Sequence, residues 1–467
     1  MRTKSVPIQW LRHEGRRLDV GPYLSGALEA RLRLKEMAAR KDPLDELTHG
    51  HKGGIYNGPQ FVRNYVHDRA NGVPFVSSGS MLRADLSVLP LLSKKDATSN
   101  KLSYLRLSEG TTLISCSGAI GRMVYVGPDM DGMWSSQDVM KVVPDSAKVA
   151  SGYLYAYLSS KFGVPQVISG TYGAIIQHIE PNHIADLHVP RLGKKIEQRA
   201  HRLMEEAANK RARAATLLET ATKLFVSSVG IGPLRPEADH TSPHLSVVGA
   251  SLVQSRLDAF YYCDINQEAR LGFDNAKCRL CRLEEVANVF IPGIFKRRYA
   301  DDPKHGYPYI TGADVFQVVP TSDKYLMRKV SEQYQLVLKS GMILIQEAGQ
   351  LGGLIGSSVQ VGEYLDGFAC TNNMVRVTPN DVRDAGYLYT VLASPYGVRL
   401  IAREAAGSSI PHIEVSRVQR LVIPWASEST RHRIGKPAIE ARRLRDEACS
   451  DEREARVLVE RTIEEAA

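Results

Sequence analysis

Between residues 196 and 224, side chains at seven-residue spacing form two rows. One holds Ile196, Leu203, Lys210, Leu217 and Leu224, and the other Ala200, Ala207, Ala214 and Ala221. Together they predict a long helix with one coiled-coil seam. The alanine row removes bulk, so a partner helix can come close. A second stretch repeats the pattern near the C-terminus, with Ile434, Ala441, Ala448 and Ala455 beside Leu444, Asp451 and Leu458. Pro437 is expected to delay that helix to about residue 437, because proline is tolerated only in a first turn. Each seam carries one charge, Lys210 and Asp451. If the helices run antiparallel with these two opposite each other, Leu217 meets Leu444 and Leu203 meets Leu458. The expectation is an intramolecular antiparallel pair.

Elsewhere the apolar runs are short and end at glycine or proline, as strands ending in turns do. Val73–Gly79 and Tyr307–Gly312 read this way, as do Gly110–Ser115 and Gly341–Gln346. Gly118-Ala119-Ile120-Gly121 and Gly353-Leu354-Ile355-Gly356 fit either a phosphate cradle or a tight hairpin turn. The two Gly-Tyr-Leu-Tyr segments open apolar helices, and their tyrosines read as core. Short strands at Leu187–Pro190 and Leu421–Pro424 follow.

These elements come in pairs. Gly152-Tyr153-Leu154-Tyr155 with Leu158, Ser160, Gly163 and Val164 returns as Gly386-Tyr387-Leu388-Tyr389 with Leu392, Ser394, Gly397 and Val398, an offset of 234. His178-Ile179 and His412-Ile413 keep the same offset, as do Phe61, Tyr65, Asp68, Gly72 and Pro74 with Phe295, Tyr299, Asp302, Gly306 and Pro308. Arg17-Leu18-Asp19 with Tyr23 returns as Arg256-Leu257-Asp258 with Tyr262 after 239 residues, so small insertions separate the copies. Units this long are not solenoid repeats. They predict a tandem duplication in one chain, which behaves as a fused homodimer and on DNA would read two half-sites. Helices of about 30 residues span ~45 Å, close to the ~34–36 Å between half-sites one DNA turn apart.

Composition narrows the partner. The 467 residues carry 60 Lys+Arg against 51 Asp+Glu, a formal charge of +9 that favours an acidic partner such as nucleic acid. With 43% hydrophobic and 24% charged residues the chain is globular in type. The start lacks a signal-peptide core and no apolar run matches a membrane helix, so a cytoplasmic location without membrane association is expected. Six cysteines are too few for a disulfide scaffold. Cys278 and Cys281, with Cys263 upstream, lack a fourth ligand at zinc spacing and read as reduced thiols.

Catalytic motifs are missing. There is no Pro-Pro, so no adenine methyltransferase motif, and no Gly-x-x-x-x-Gly-Lys-(Ser/Thr) for a translocase. Neither Pro-Asp pair, at 128–129 or 144–145, leads into a nuclease-type acidic-x-Lys, and no His-Glu-x-x-His occurs. A non-catalytic binding protein with no cofactor or metal of its own is expected. Base reading needs Arg or Lys for guanine and Asn or Gln for adenine, with phosphate contacts for register. In the first copy the candidates are Arg63, Ser117, Arg122, Gln137, Thr171, Tyr172 and Gln177. In the second they are Lys296, Arg297, Arg298, Gln346, Gln350, Asn372, Asn373 and Ser409. Ser135-Ser136-Gln137-Asp138 and its counterpart Thr371-Asn372-Asn373 differ, which predicts unlike half-sites.

The doubled order of the Arg-Leu-Asp opening, Ile114-Ser115-x-Ser117-Gly118-x-Ile120-Gly121-Arg122, the Tyr-Leu-Tyr helix and the Val-Pro or Ile-Pro close resembles the specificity subunits of type I restriction-modification systems, over nearly the whole chain. Two departures leave a closely related methylation-linked defence system as the alternative to a type I system proper. Arg431-His432-Arg433 stands where the first copy has Glu197-Gln198-Arg199, and Ser357 stands where it has Arg122. The resemblance implies an α+β chain of two α/β target-recognition domains, pseudo-two-fold, held apart by two antiparallel coiled-coil helices. Its parts would be a first domain at 1–193, a helix at 194–229, a linker at 230–243, a second domain at 244–426 and a helix at 427–467. It implies double-stranded DNA and two adenine-N6 methyltransferase subunits as partners, with a translocating endonuclease subunit able to join. S-adenosylmethionine is expected on the methyltransferases. A second reading is a nucleic-acid-binding scaffold of another defence complex, without methyltransferases.

Overall fold

Thr112–Ser115 and Val139–Val142 are buried along their whole length, so they read as short runs without polar alternation. They form the middle of a four-stranded antiparallel sheet, flanked by Ile55–Tyr56 and Met123–Tyr125. Ile343–Gln346 and Met374–Pro379 do the same between Ala287–Phe290 and Ser358–Gln360. The structure is a computed structural model that describes residues 4–13, 21–169, 178–235, 247–253 and 256–466. It is mixed α+β and divides into two units. One comprises residues 1–212 and 447–467, the other 213–446.

Inside the first unit a second sheet runs Tyr65–Val66, Leu91–Ser93, Gly72–Val76, Trp134–Ser135, its last pairing parallel. Lys41–Pro43 pairs with His188–Pro190. The second unit has the same orders: Tyr299–Ala300, Tyr325–Met327, Gly306–Ile310, Ala369–Cys370, again with a parallel last pairing, and Arg279–Arg282 with Val422–Trp425.

The Gly-Tyr-Leu-Tyr helices, Ser151–Leu158 and Ala385–Ala393, are apolar on nearly every side and buried. The hydroxyls of Tyr153 and Tyr387 donate to the carbonyls of Pro190 and Pro424. Gly152 and Gly386 head these helices for a steric reason. A Cβ on Gly152 would lie 2.8 Å from His201 Cα, and one on Gly386 would lie 2.4 Å from the Gly435 carbonyl oxygen. Glycine lets each short helix rest against the backbone of a long one.

Those long helices are Lys194–Val229 and Glu428–Glu465. In the first unit, residues 194–212 pack antiparallel against 447–465. Lys210 Nζ donates to Asp451 Oδ2 at 2.6 Å, Arg199 meets Glu454 at 2.6 Å, and Leu203 and Leu458 flank one core. In the second unit Ala214, Leu217, Ala441 and Leu444 share a cluster, and Arg433 Nη2 donates to Ser228 Oγ.

Pro437 does not set the start of the second long helix, as its position had suggested. The helix begins at Glu428, nine residues earlier, and the proline lies inside it. Interior proline costs about 3 kcal/mol through a lost backbone bond and a ring clash. Burial offsets this: Ile434, Ala438 and Ala441 are fully buried and Gly435 abuts Gly386 and Tyr387. Arg431 also pins the first turns, donating twice to Asp384 at 2.8 and 3.2 Å and stacking 4.1 Å over Trp425.

Candidate nucleic-acid interface

In the first unit Ser136 to Val139 forms a tight turn, the Val139 N–H donating to the Ser136 carbonyl at 3.3 Å. Both ends are fixed to sheets, because Ser136 N–H donates to Val76 and Cys116 N–H to Asp138. Gln137 and Asp138 sit at the turn's two central positions. Arg63 lies beside them: its Nη2 donates to Gln137 Oε1 at 3.1 Å and is 3.6 Å from Asp138 Oδ2, and its guanidinium lies over the Phe75 ring at 5.6 Å. Arg63, Gln137 and Asp138 thus form one polar group.

Its counterpart in the second unit is built alike. Thr371 N–H donates to Ile310, Asn372 is half-buried and Asn373 exposed. Arg297 lies over Tyr309 at 5.9 Å, and its Nε donates to the Tyr309 hydroxyl at 3.1 Å. Lys296, Arg297 and Arg298 form an exposed basic run.

The other candidates divide. Ser117 is half-buried and bridges His178, and Arg122 is exposed. Gln350 and Ser409 are exposed. Gln346 turns inward: its Nε2 donates to Ala348 at 2.7 Å, and its Oε1 is buried where a Cβ on Gly312 would fall. Thr171, Tyr172 and Gln177 lie outside the described residues, as do Arg17-Leu18-Asp19 and residues 236–243 of the linker. In the second copy the Arg-Leu-Asp motif is a brace. Arg256 holds Asp258 through two bonds, at 2.5 and 2.7 Å, and donates to the carbonyls of Glu404 and Ala405.

The Gly-x-Ile-Gly turns close hairpins. Gly121 N–H donates to Ser115 and Gly356 N–H to Gln346, and both glycines have positive φ, 76° and 81°. Those two amides are committed to the backbone. Among the described residues no group of His, Cys, Asp and Glu is arranged to hold a metal. Among the described residues no disulfide is formed, and no helix is long and apolar enough to cross a membrane.

Sequence reasoning missed Lys141 and Arg376. Each sits on a central strand, Lys141 opposite Leu113 and Arg376 opposite Leu344, and both are fully buried. Lys141 Nζ donates to the Ser136 carbonyl at 3.1 Å and lies 5.9 Å from the Tyr56 ring centre. Burial pushes its ammonium down to about 7, although Cys116 and Asp138 favour the charge. Arg376 donates to the carbonyls of Cys370, Thr371, Met374 and Leu336, and burial lowers its pKa as well. One signal could have found them: a lone cation inside a four-residue apolar run, at the matching place in both copies.

No family model matches the chain, and no curated protein matches it. Solved structures do. The S subunit of a type I restriction-modification system from M. genitalium is 12% identical, with 92% of this chain and 96% of that one covered, at a TM-score of 0.34. The HsdS subunit from Thermoanaerobacter tengcongensis is 15% identical over 92% and 97%, at 0.28. A structure of complex assembly and conformational transition in the type I R-M system is 16% identical over 91% and 97%, at 0.29. All three of these structures come from type I restriction-modification systems, two of them named as S or HsdS subunits, and each is matched over at least 91% of this chain.

Proposed function

We propose that the chain is a non-catalytic specificity subunit that reads a bipartite, asymmetric DNA site for a methylation or restriction complex. The carrying observation is that one sheet arrangement occurs twice in the chain and bears unlike amide loops, Gln137-Asp138 in one unit and Asn372-Asn373 in the other. Like scaffolds give two reading heads, and unlike loops give two different half-sites. In this reading the units descend from a tandem duplication with pseudo-two-fold character, and the paired helices join them. Arg63, Ser117, Arg122, Gln137, Gln350, Asn372, Asn373 and Ser409 are the base-reading or register-setting candidates. Lys296, Arg297 and Arg298 form a phosphate-binding run. The helix pair docks two adenine-N6 methyltransferase subunits, which carry S-adenosylmethionine, and an endonuclease subunit can join them.

Selection from a randomised duplex pool, followed by sequencing, tests the DNA reading. The expected product is two unlike half-sites separated by an unselected spacer. A palindrome, or no enrichment, would sink it. Native co-purification tests the partners: two methyltransferase copies per chain are expected, and their absence would favour a scaffold without them.

A further inference from the structure

Val139–Val142 is apolar except at Lys141, and residues 374–377 of the matching strand are apolar except at Arg376, so the interruption is a cation in both units. Burying a cation is unfavourable unless its hydrogen bonds are satisfied. Among the described residues neither cation is paired to a carboxylate. Lys141 gives a hydrogen to the Ser136 carbonyl. The two Nη of Arg376 give theirs to the carbonyls of Cys370, Thr371, Met374 and Leu336, while its Nε is buried with no partner among the described residues. Apart from Leu336, those carbonyls border the candidate reading loops. Ser136 accepts from Lys141 Nζ and from Val139 N–H, so both lone pairs of the carbonyl that starts the Gln137-Asp138 turn are engaged. Arg376 binds the Cys370 and Thr371 carbonyls before Asn372-Asn373 and the Met374 carbonyl after them. The strand register makes the two cations equivalent. Lys141 is opposite Tyr56 and Leu113, and Arg376 is opposite Phe290 and Leu344.

We propose that Lys141 and Arg376 are positioning residues for DNA reading: each holds, from beneath, the backbone that presents a base-reading loop, and so governs the selectivity of its own half-site. This rests on the DNA-reading function above. Neither side chain reaches DNA. A turn whose starting carbonyl is held at two points keeps Gln137 beside Arg63, where Oε1 takes that guanidinium hydrogen. Without the clamp the amide samples several directions and discriminates less, while the surface phosphate contacts are untouched. Readout and affinity therefore separate. The Lys141 and Arg376 effects also fall on different halves of the target, which a general loss of stability would not produce.

The test applies randomised duplex selection to the full chain and to four variants. Lys141→Met removes the donors at nearly constant length, and is expected to lower discrimination in the first half-site by roughly tenfold. The second half-site and binding to unrelated duplex stay unchanged. Lys141→Arg, which installs the second unit's own solution, is expected to restore discrimination. Arg376→Met does the converse. Arg376→Lys keeps a cation with fewer reachable carbonyls, so it tests the clamp without emptying the site of charge, and is expected to loosen the second half-site alone. Equal weakening of both half-sites, or an unchanged motif in folded Lys141→Met or Arg376→Lys, would overturn the proposal. A wild-type chain that selects no motif would defeat the function reading and this one together. A wild-type motif that the variants leave intact defeats this one alone.

Discussion

Glu197 and Arg431 occupy matching places with opposite charge, and each has the surroundings its sign requires. Glu197 accepts two bonds from Arg191, at 2.9 and 3.1 Å, and Arg191 also reaches Asp42. At Arg431 the arginine partner is replaced by Trp425, and a carboxylate is supplied by Asp384. A departure from the repeat is thus a compensated exchange. Sequence alone marked these positions as different but could not show the compensation, because the carboxylate that meets Arg431, Asp384, lies 47 residues earlier in the chain. The loops at Gln137 and Asn372 were legible from their polar run between apolar ones, whereas the contact of Arg63 with Gln137 needs coordinates. If Gln137 contacts a base, Gln137→Ala costs ~1–3 kcal/mol at one target position only. Arg297→Ala, at a phosphate, instead weakens all sequences and lowers the salt slope by about one. Binding titrations on single-substituted duplexes separate the two. Lys141 gives a pH prediction. Its ordinary value is 10.5 and its folded value about 7, so between them the unfolded chain holds the extra proton. Stability therefore rises with pH through that window, and the full burial penalty applies below it. Urea midpoints across the window are expected to climb less steeply in Lys141→Met than in wild type. Parallel curves would refute the buried ammonium.

At the scale of elements, the heptad rows with an antiparallel pairing predict Lys210 near Asp451, and the side chains meet at 2.6 Å. Such periodicity is legible because it depends on one helix face at a time. The start of the second long helix was not legible, since the packing that offsets Pro437 comes from Gly386 and Tyr387, far back in the chain. Nor did the rows reveal Glu452, which is buried inside the first unit among Arg211 at 2.7 Å, the Tyr155 hydroxyl at 2.8 Å and Arg456 at 3.6 Å. Burial alone would raise its pKa, but Arg211 and Arg456 outweigh that and hold it below the ordinary 4.5. Its stabilising share is therefore present at neutral pH and lost as the pH falls through the lowered folded value. Removing one partner of a buried pair strands the other, so Glu452→Ala is expected to cost about 3–5 kcal/mol. The double variant Arg211→Leu/Glu452→Leu should recover most of it. Urea unfolding of both variants checks this: a double variant as unstable as Glu452→Ala would mean that the stranded Arg211 charge is not the cause.

On the scale of the whole molecule, the repeat reaches beyond the sequence matches that revealed it. It extends to strand order, to the Tyr153 and Tyr387 bonds with proline carbonyls, and to the two buried cations. Gly152 and Gly386, and Tyr153 and Tyr387, are identical in the two units, the buried cations differ as lysine and arginine, and the loops differ in their amides, Gln137 and Asn372. If each unit is a reading head, the +9 formal charge acts at two places on one duplex. Each neutralised phosphate releases condensed counterions, so the slope of log affinity against log salt measures how many phosphates are contacted. A duplex carrying both half-sites engages both heads. One cut to a single half-site engages only one, and should show about half the slope and a much weaker affinity. Arg297→Ala then provides an internal check: it lowers the slope on the full duplex and on the second half-site, and leaves the first half-site unaffected. Equal slopes on full and half duplexes would mean that one unit alone carries the DNA, and the two-headed reading would fall.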